Sequence, residues 1–303
     1  MTNAMWTILI GCLASASCAL VGCFLVLRRQ AMMGDAISHS VLPGIVIAFL
    51  ITHSRNTFPM LVGAGALGLL TTFMTDILER HGKLQSDASM GVTFTWLFAI
   101  GVILVSAFAG QVDLDADCVL YGEIENAPLN LVFLGDTPIG PRAVWILGAV
   151  TIANVAFIAL GYRQLKLCSF DPALAAAIGI NVTLWHYLLM GFVSLTTVGA
   201  FESVGAILVV ALLIVPPNTA YLLTDRLSLM LVYSALIGMA ASIGGYYLAS
   251  WLDGSTAGAI SVVSGLLFIL AALFSPAHGA IPGYFARRRA VRMPTQTSPA
   301  VGG

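Results

Sequence analysis

Two side chains in the stretch RRQAMMGDAISHSVLPGIVIAFL, residues 28–50, are of types that could hold a metal ion together: the carboxyl of Asp35 and the imidazole of His39. Four residues apart on a helix, they share one face and lie one turn apart. A carboxylate oxygen beside an imidazole nitrogen suits manganese, iron or zinc, whereas copper(I) would favour sulfur and calcium oxygens alone. Two donors from one chain are too few for tight binding, and a two-fold partner would supply two more. The same spacing admits plainer roles. Asp35 could pair with Arg29 or cap the helix start, and His39 could hydrogen-bond a neighbouring helix. Met32 and Met33 read as packing residues, and Pro43 with Gly44 as a kink or close helix approach on the same run.

The elements that must position this pair are membrane helices. Of 303 residues, 59% are hydrophobic and only 9% charged, with a mean hydropathy of +0.96, against roughly 25% charged in a soluble domain. Backbone polar groups cannot face lipid, so long apolar runs must be helices. Such runs cover 5–27, 31–52, 59–79, 88–109, 143–162, 183–201, 204–223, 229–250 and 257–274. The connection at Phe201, Glu202 and Ser203 is short enough to be a re-entrant turn or a broken helix. The expected fold is therefore an all-α integral membrane protein, a polytopic bundle of about eight or nine spans. Two arginines, not a small-residue cleavage site, follow the first run, which reads as a retained span rather than a signal peptide.

Lysine and arginine are retained on the cytoplasmic side of a membrane. With the N-terminus outside, Arg28, Arg29, Arg80, Lys83, Arg163, Lys166, Arg226 and the tail residues Arg287, Arg288, Arg289 and Arg292 fall inside, and only Arg55 and Arg142 outside. The long outer connection, about 110–141, is acidic instead, with Asp113, Asp115, Asp117, Glu123, Glu125 and Asp136. An acidic mouth concentrates cations or docks a basic partner surface; it also simply keeps a loop in water. Its DLDAD string lacks the glycine and terminal Glu of an EF-hand.

Between two spans, LKLCSFDPALAAAIGIN (165–181) is placed on the inner side and is far too short to cross. Asp171 or Ser169 suits a helix cap, Pro172 a first position and Gly179 an end. This segment is a connector or a docking element for a cytoplasmic partner. No GxxxxGK[ST] phosphate loop occurs, so ATP, if it drives the protein, must bind another subunit. Neither HExxH nor CxxC is present, and a net charge of −1 excludes the basic footprint of a nucleic-acid binder. Cys12, Cys18, Cys23, Cys118 and Cys168 read as small hydrophobes. Among other ionisable groups, Glu202 could line a pathway but fits an outer turn better. His186 reads as interfacial, His278 as a boundary residue and His53 as part of an outer loop.

Several long strings, in this order, resemble the membrane permeases of the manganese/zinc/iron ABC importers: RRQAMMGDAISHSVLPGIVIAFL, SDASMGVTFTWLFAIGVILVS, DADCVLYGEI, FDPALAAAIGIN, VGAILVVALLIVPPNTAYLLT and TAGAISVVSGLLFILAALFSPAHG. The resemblance spans about residues 8–280. It implies a type II importer permease, one membrane domain over 1–280 and a cytoplasmic tail over 281–303 expected to be disordered. It further implies a second permease copy or paralogue, a cytoplasmic ABC ATPase dimer and an extracytoplasmic metal-binding protein, in a bacterial inner membrane. Manganese, zinc or iron would be cargo, with no permanent cofactor. The family string GDAxSHxVLPG is matched by Gly34, Asp35, Ala36, Ser38, His39, Val41, Leu42, Pro43 and Gly44, which implies that Asp35 and His39 are pathway ligands. Phe170, Asp171, Pro172, Ala177, Gly179 and Ile180 match the segment that seats in the ATPase, about 169–181. Pro217 and Asn218 depart from the family's small residues. An ATP-independent, proton- or sodium-coupled carrier and an importer of metal chelates are the competing readings. If Arg28 and Arg29 mark the inner boundary, Asp35 lies roughly 6 Å and His39 about 12 Å into the membrane from that side.

Overall fold

The computed structural model describes residues 3–52, 57–108, 124–134 and 137–275. Most of the acidic outer connection, Arg55, His53, Cys118, His278 and the 281–303 tail lie outside them. Helix α1 (Asn3–Leu27) is apolar on every side, as expected of a helix enclosed by others. Ile10, Ala14, Cys18, Val21, Phe24 and Leu25 are fully buried, and α6, α8, α9 and α10, defined below, pack around them.

The run carrying Asp35 and His39 is two helices, α2 (Met33–Ser40) and α3 (Leu42–Thr52), broken at Val41. The break falls two residues before the expected kink, because the Pro43 ring clashes with the carbonyl of residue 39 and Pro43 has no N–H to donate. Gly44 instead provides a close approach. A Cβ there would stand 2.6 Å from the carbonyl oxygen of Gly63 on α4 (Thr57–Gly82). Helix α5 (Ser86–Phe108) packs against α2, α3 and α4.

One departure from an all-helical chain is a small antiparallel pair, β1 (Leu131–Leu134) with β2 (Thr137–Pro141), in the outer connection. Helix α6 (Arg142–Phe170) has 29 residues, about 43 Å of helix against ~30 Å of hydrocarbon. The expected span ended at residue 162. Nothing between Arg163 and Ser169 breaks a helix, so α6 carries its basic residues out to Phe170. It stops there because Asp171, preceding a proline, is driven out of the helical region, to φ −145° and ψ 84°. The non-spanning helix α7 (Pro172–Ala177) is therefore shorter than the expected 169–181. Asp171, not Ser169, caps it, accepting from Leu174 N at 2.9 Å. Gly179 turns the chain away at φ +86°.

Helices α8 (Val182–Val204) and α9 (Ala206–Leu223) are separated by Gly205 alone, at φ 80° and ψ 162°, a region essentially reserved for glycine. Glu202 thus belongs to the last turn of α8 and not to a turn between spans. Helices α10 (Leu227–Leu252) and α11 (Thr256–Phe274) complete the bundle. Counting α2 and α3 as one span, the described residues hold nine helices long and apolar enough to cross a membrane. Arg28, Arg80, Lys83, Arg163, Lys166 and Arg226 all cluster where α1, α4, α6 and α9 finish, hereafter the basic end. A Ser275 hydroxyl bond to the Leu222 carbonyl places the finish of α11 there too.

Candidate metal site

Helix α2 is held by its buried face. A Cβ on Gly34 would come within 2.7 Å of the Leu213 side chain, Ser38 Oγ donates to the Gly34 carbonyl, and Ser40 shares a 2.6 Å hydrogen bond with Thr71 of α4. That anchoring leaves one stripe open, occupied by Asp35 and His39, whose side chains are 26% and 37% exposed. Asp35 Oδ1 stands 3.4 Å from His39 Nε2. An ion ~2.1 Å from each atom would see them at an angle of about 108°, close to tetrahedral. Phe94 and Phe98 of α5 flank the imidazole with ring centroids at 5.8 and 6.2 Å, forming an apolar wall on one side. Asp35 does not cap α2, which lacks a side-chain cap, and no Asp35–Arg29 ion pair occurs among the described residues.

The depth of the pair follows from shared contacts. Cβ atoms on Gly22 of α1 and Gly34 of α2 would both press on Leu213. Gly22 is five residues before the end of α1, so Gly34 lies about 7.5 Å in from that end. Asp35 is near that level and His39 about one turn, ~6 Å, further in. Both sit in the half of the bundle nearer the basic end.

Among the described residues no three His, Cys, Asp or Glu side chains converge to hold a metal, so within them Asp35 and His39 stand as a two-donor pair. Glu202 is not brought to them. It is exposed and lines a 550 Å³ cavity with Asn126, Arg142 and Ser203 at the opposite end of α8. Glu125 pins the outer connection to α11, accepting from Thr256 N at 3.1 Å and Thr256 Oγ1 at 2.7 Å.

A second Asp/His pair was not anticipated. His186, expected at an interface, is largely buried, and its Nε2 lies 3.3 Å from Oδ2 of Asp76 on α4. Asp76 is not legible as a site residue in the sequence because it stands at the end of an apolar run beside Glu79 and Arg80, where an acid looks like a boundary residue. Its signal was that it precedes the basic residues by a full turn. Arg28 is drawn inside with them. Its Nε donates to Ser169 Oγ at 3.1 Å, and its Nη1 lies 3.4 Å from His186 Nδ1. Burial lowers the Arg28 pKa from the ordinary guanidinium value. The group lines a 390 Å³ cavity at the basic end with Gln30, Glu79 and Cys168.

Helix α7 projects from this end. Phe170, Leu174 and Ile178, four residues apart, are 58%, 48% and 58% exposed, while Ala175 is buried beneath them. Ile180 N closes back on the Ala175 carbonyl at 2.9 Å.

The model of the ABC 3 transport family matches residues 1–275. The manganese transport system membrane protein MntD of Bacillus subtilis is 52% identical, covering 91% of this chain and 93% of that protein. The zinc transport system membrane protein TroD of Treponema pallidum is 47% identical, covering 91% and 75% respectively. Among solved structures, PsaBC from Streptococcus pneumoniae in complex with Fab superposes with a TM-score of 0.78 at 29% identity, covering 95% of this chain and 96% of that one.

Proposed function

Since this chain belongs to the ABC 3 transport family, we propose that it is the membrane permease subunit of an ATP-driven importer of a divalent transition metal. It is a multi-pass transport subunit and not itself an enzyme. The observation that carries the metal reading is the Asp35–His39 pair, 3.4 Å apart on the one open stripe of α2. A carboxylate and an imidazole at that separation replace part of an ion's hydration shell without enclosing it, which suits a transient stop better than a resident site. A second permease copy or paralogue, presenting the same stripe, would raise two donors to four. The relatives named above point to manganese or zinc. Neither names iron, which the same donors would also accept.

The exposed apolar side chains of Phe170 at the end of α6, Leu174 on α7 and Ile178 just after it support 170–180 as the part that seats in a cytoplasmic ATPase, with the Asp171 cap and Pro172 fixing the angle at which α7 leaves α6. A carrier driven by protons or sodium has no use for such an apolar foot. An extracytoplasmic binding protein would deliver the ion at the end of the bundle opposite the basic end.

The test is accumulation of manganese, zinc and iron in cells expressing the chain beside its ATPase and binding protein. ATP-dependent uptake of one of these metals, lost when the ATPase is inactivated, is the expected result. Uptake that survives ATPase inactivation would overturn the reading in favour of a self-sufficient carrier.

A further inference from the structure

The Arg28 guanidinium stands where four parts of the chain meet, and none of them is the metal pair. Arg28 belongs to the tight turn joining α1 to α2, in which Gln30 N bonds back to the Leu25 carbonyl at 2.9 Å and Arg29 adopts φ 58°. That turn leads directly into the helix bearing Asp35 and His39. The Arg28 side chain reaches Ser169, two residues before the cap of α7, and His186, in the first turns of α8. His186 in turn faces Asp76 on α4.

A guanidinium only donates, so at 3.4 Å it makes His186 Nδ1 the acceptor and leaves the ring proton on Nε2, toward Asp76. This arrangement argues against a second metal stop here, because an ion would need the Nε2 lone pair and would face a fixed positive charge. It favours a mechanical part. The flat fork of arginine can hold Ser169 with one nitrogen and His186 with another, which a lysine cannot do. The hold is also incomplete: among the described residues, Arg28 Nη2 and, in the same turn, Gln30 Oε1 are buried without a hydrogen-bond partner. Buried polar atoms left so are costly, and an arrangement that re-pairs them competes with this one.

We propose that Arg28 is a positioning residue that ties the base of α7 to the α1–α2 turn, so that displacement of α7 is passed to the helix presenting Asp35 and His39. The proposal rests on the reading of α7 as the ATPase contact. Ser169, in the last turn of α6 two residues before the α7 cap, takes up a displacement of α7, the Arg28 fork follows it, and the tight turn converts that shift into a shift of α2. His186 and Asp76 give the fork its seat against α8 and α4.

The experiment reconstitutes the full complex with its ATPase and binding protein in proteoliposomes, and measures manganese or zinc uptake and ATP hydrolysis on the same sample. In Arg28→Gln, uptake per ATP hydrolysed is expected to fall about ten-fold, within the usual range of coupling between sites. Arg28→Lys, which keeps the charge and loses the fork, stays clearly impaired. Full coupling in the Lys variant would reduce Arg28 to a boundary charge and overturn the proposal. So would parallel loss of hydrolysis and uptake at an unchanged ratio. If Arg28→Gln fails to assemble, Ser169→Ala decides: it deletes one bond, and wild-type coupling there sinks the idea. A wild-type complex lacking ATP-dependent uptake would strike the importer reading itself, a separate result.

Discussion

Replacing His39 by alanine separates a ligand from a packing residue, because the structure assigns very different sizes to the two losses. The imidazole is 37% exposed on its side chain and bonded to no neighbouring helix among the described residues; its contacts are Asp35 and the rings of Phe94 and Phe98. Ring pairs of this kind contribute about 0.5–1.5 kcal/mol, and no buried polar group is orphaned by the truncation. The folded protein should therefore lose about 1 kcal/mol and reach the membrane at near-normal levels. The ion, by contrast, loses half of what this chain offers it. In a pair of identical permeases the substitution strikes twice, turning four donors into two. Removing even an outer-shell partner of a metal costs about 10- to 100-fold, so loss of two direct ligands should cost uptake at least ~100-fold. Metal accumulation measured by mass spectrometry, with membrane levels matched by immunoblot, reads this directly. Uptake within two-fold of wild type would refute the ligand role, and the pathway would have to be sought along another face.

Gly22→Ala should destabilise the detergent-solubilised protein by about 1–3 kcal/mol, read as a lowered unfolding temperature, because its Cβ would lie 2.2 Å from the Leu213 carbonyl oxygen. Asp171→Ala removes the only side-chain cap of α7 and should cost ~1 kcal/mol locally; faster amide exchange at Leu174 and fewer ions moved per ATP are the expected signs. At Gly205, alanine is forced into φ 80°, a strain of about 1–3 kcal/mol that should lower thermal stability while leaving Asp35 and His39 in place. Unchanged melting in either glycine variant would show that the helices around it relax more freely than their contacts imply.

Local chemistry made much of this protein legible. Hydropathy and length define the nine spans because a helix in lipid must satisfy its own backbone, and arginine and lysine placement gives their alternation. The four-residue spacing puts Asp35 and His39 on one face whatever surrounds them. Asp171, Pro172 and Gly179 announce the edges of α7, although the helix before it ran on to Phe170 because only Asp171–Pro172 could stop it.

What tertiary structure alone decided is which of those faces stays open and which polar groups meet. The stripe of Asp35 and His39 is accessible because Gly34 and Ser40, on the other faces of α2, are clasped by α9 and α4, with Ser38 buried on the same side. Arg28 meets Ser169 across 141 residues and His186 across 158, and His186 meets Asp76 of a fourth helix. Periodicity within one helix carries no record of its neighbours. A buried arginine, a boundary-looking aspartate and an interfacial-looking histidine become one cluster only when packing brings the ends of α1, α4, α6 and α8 together.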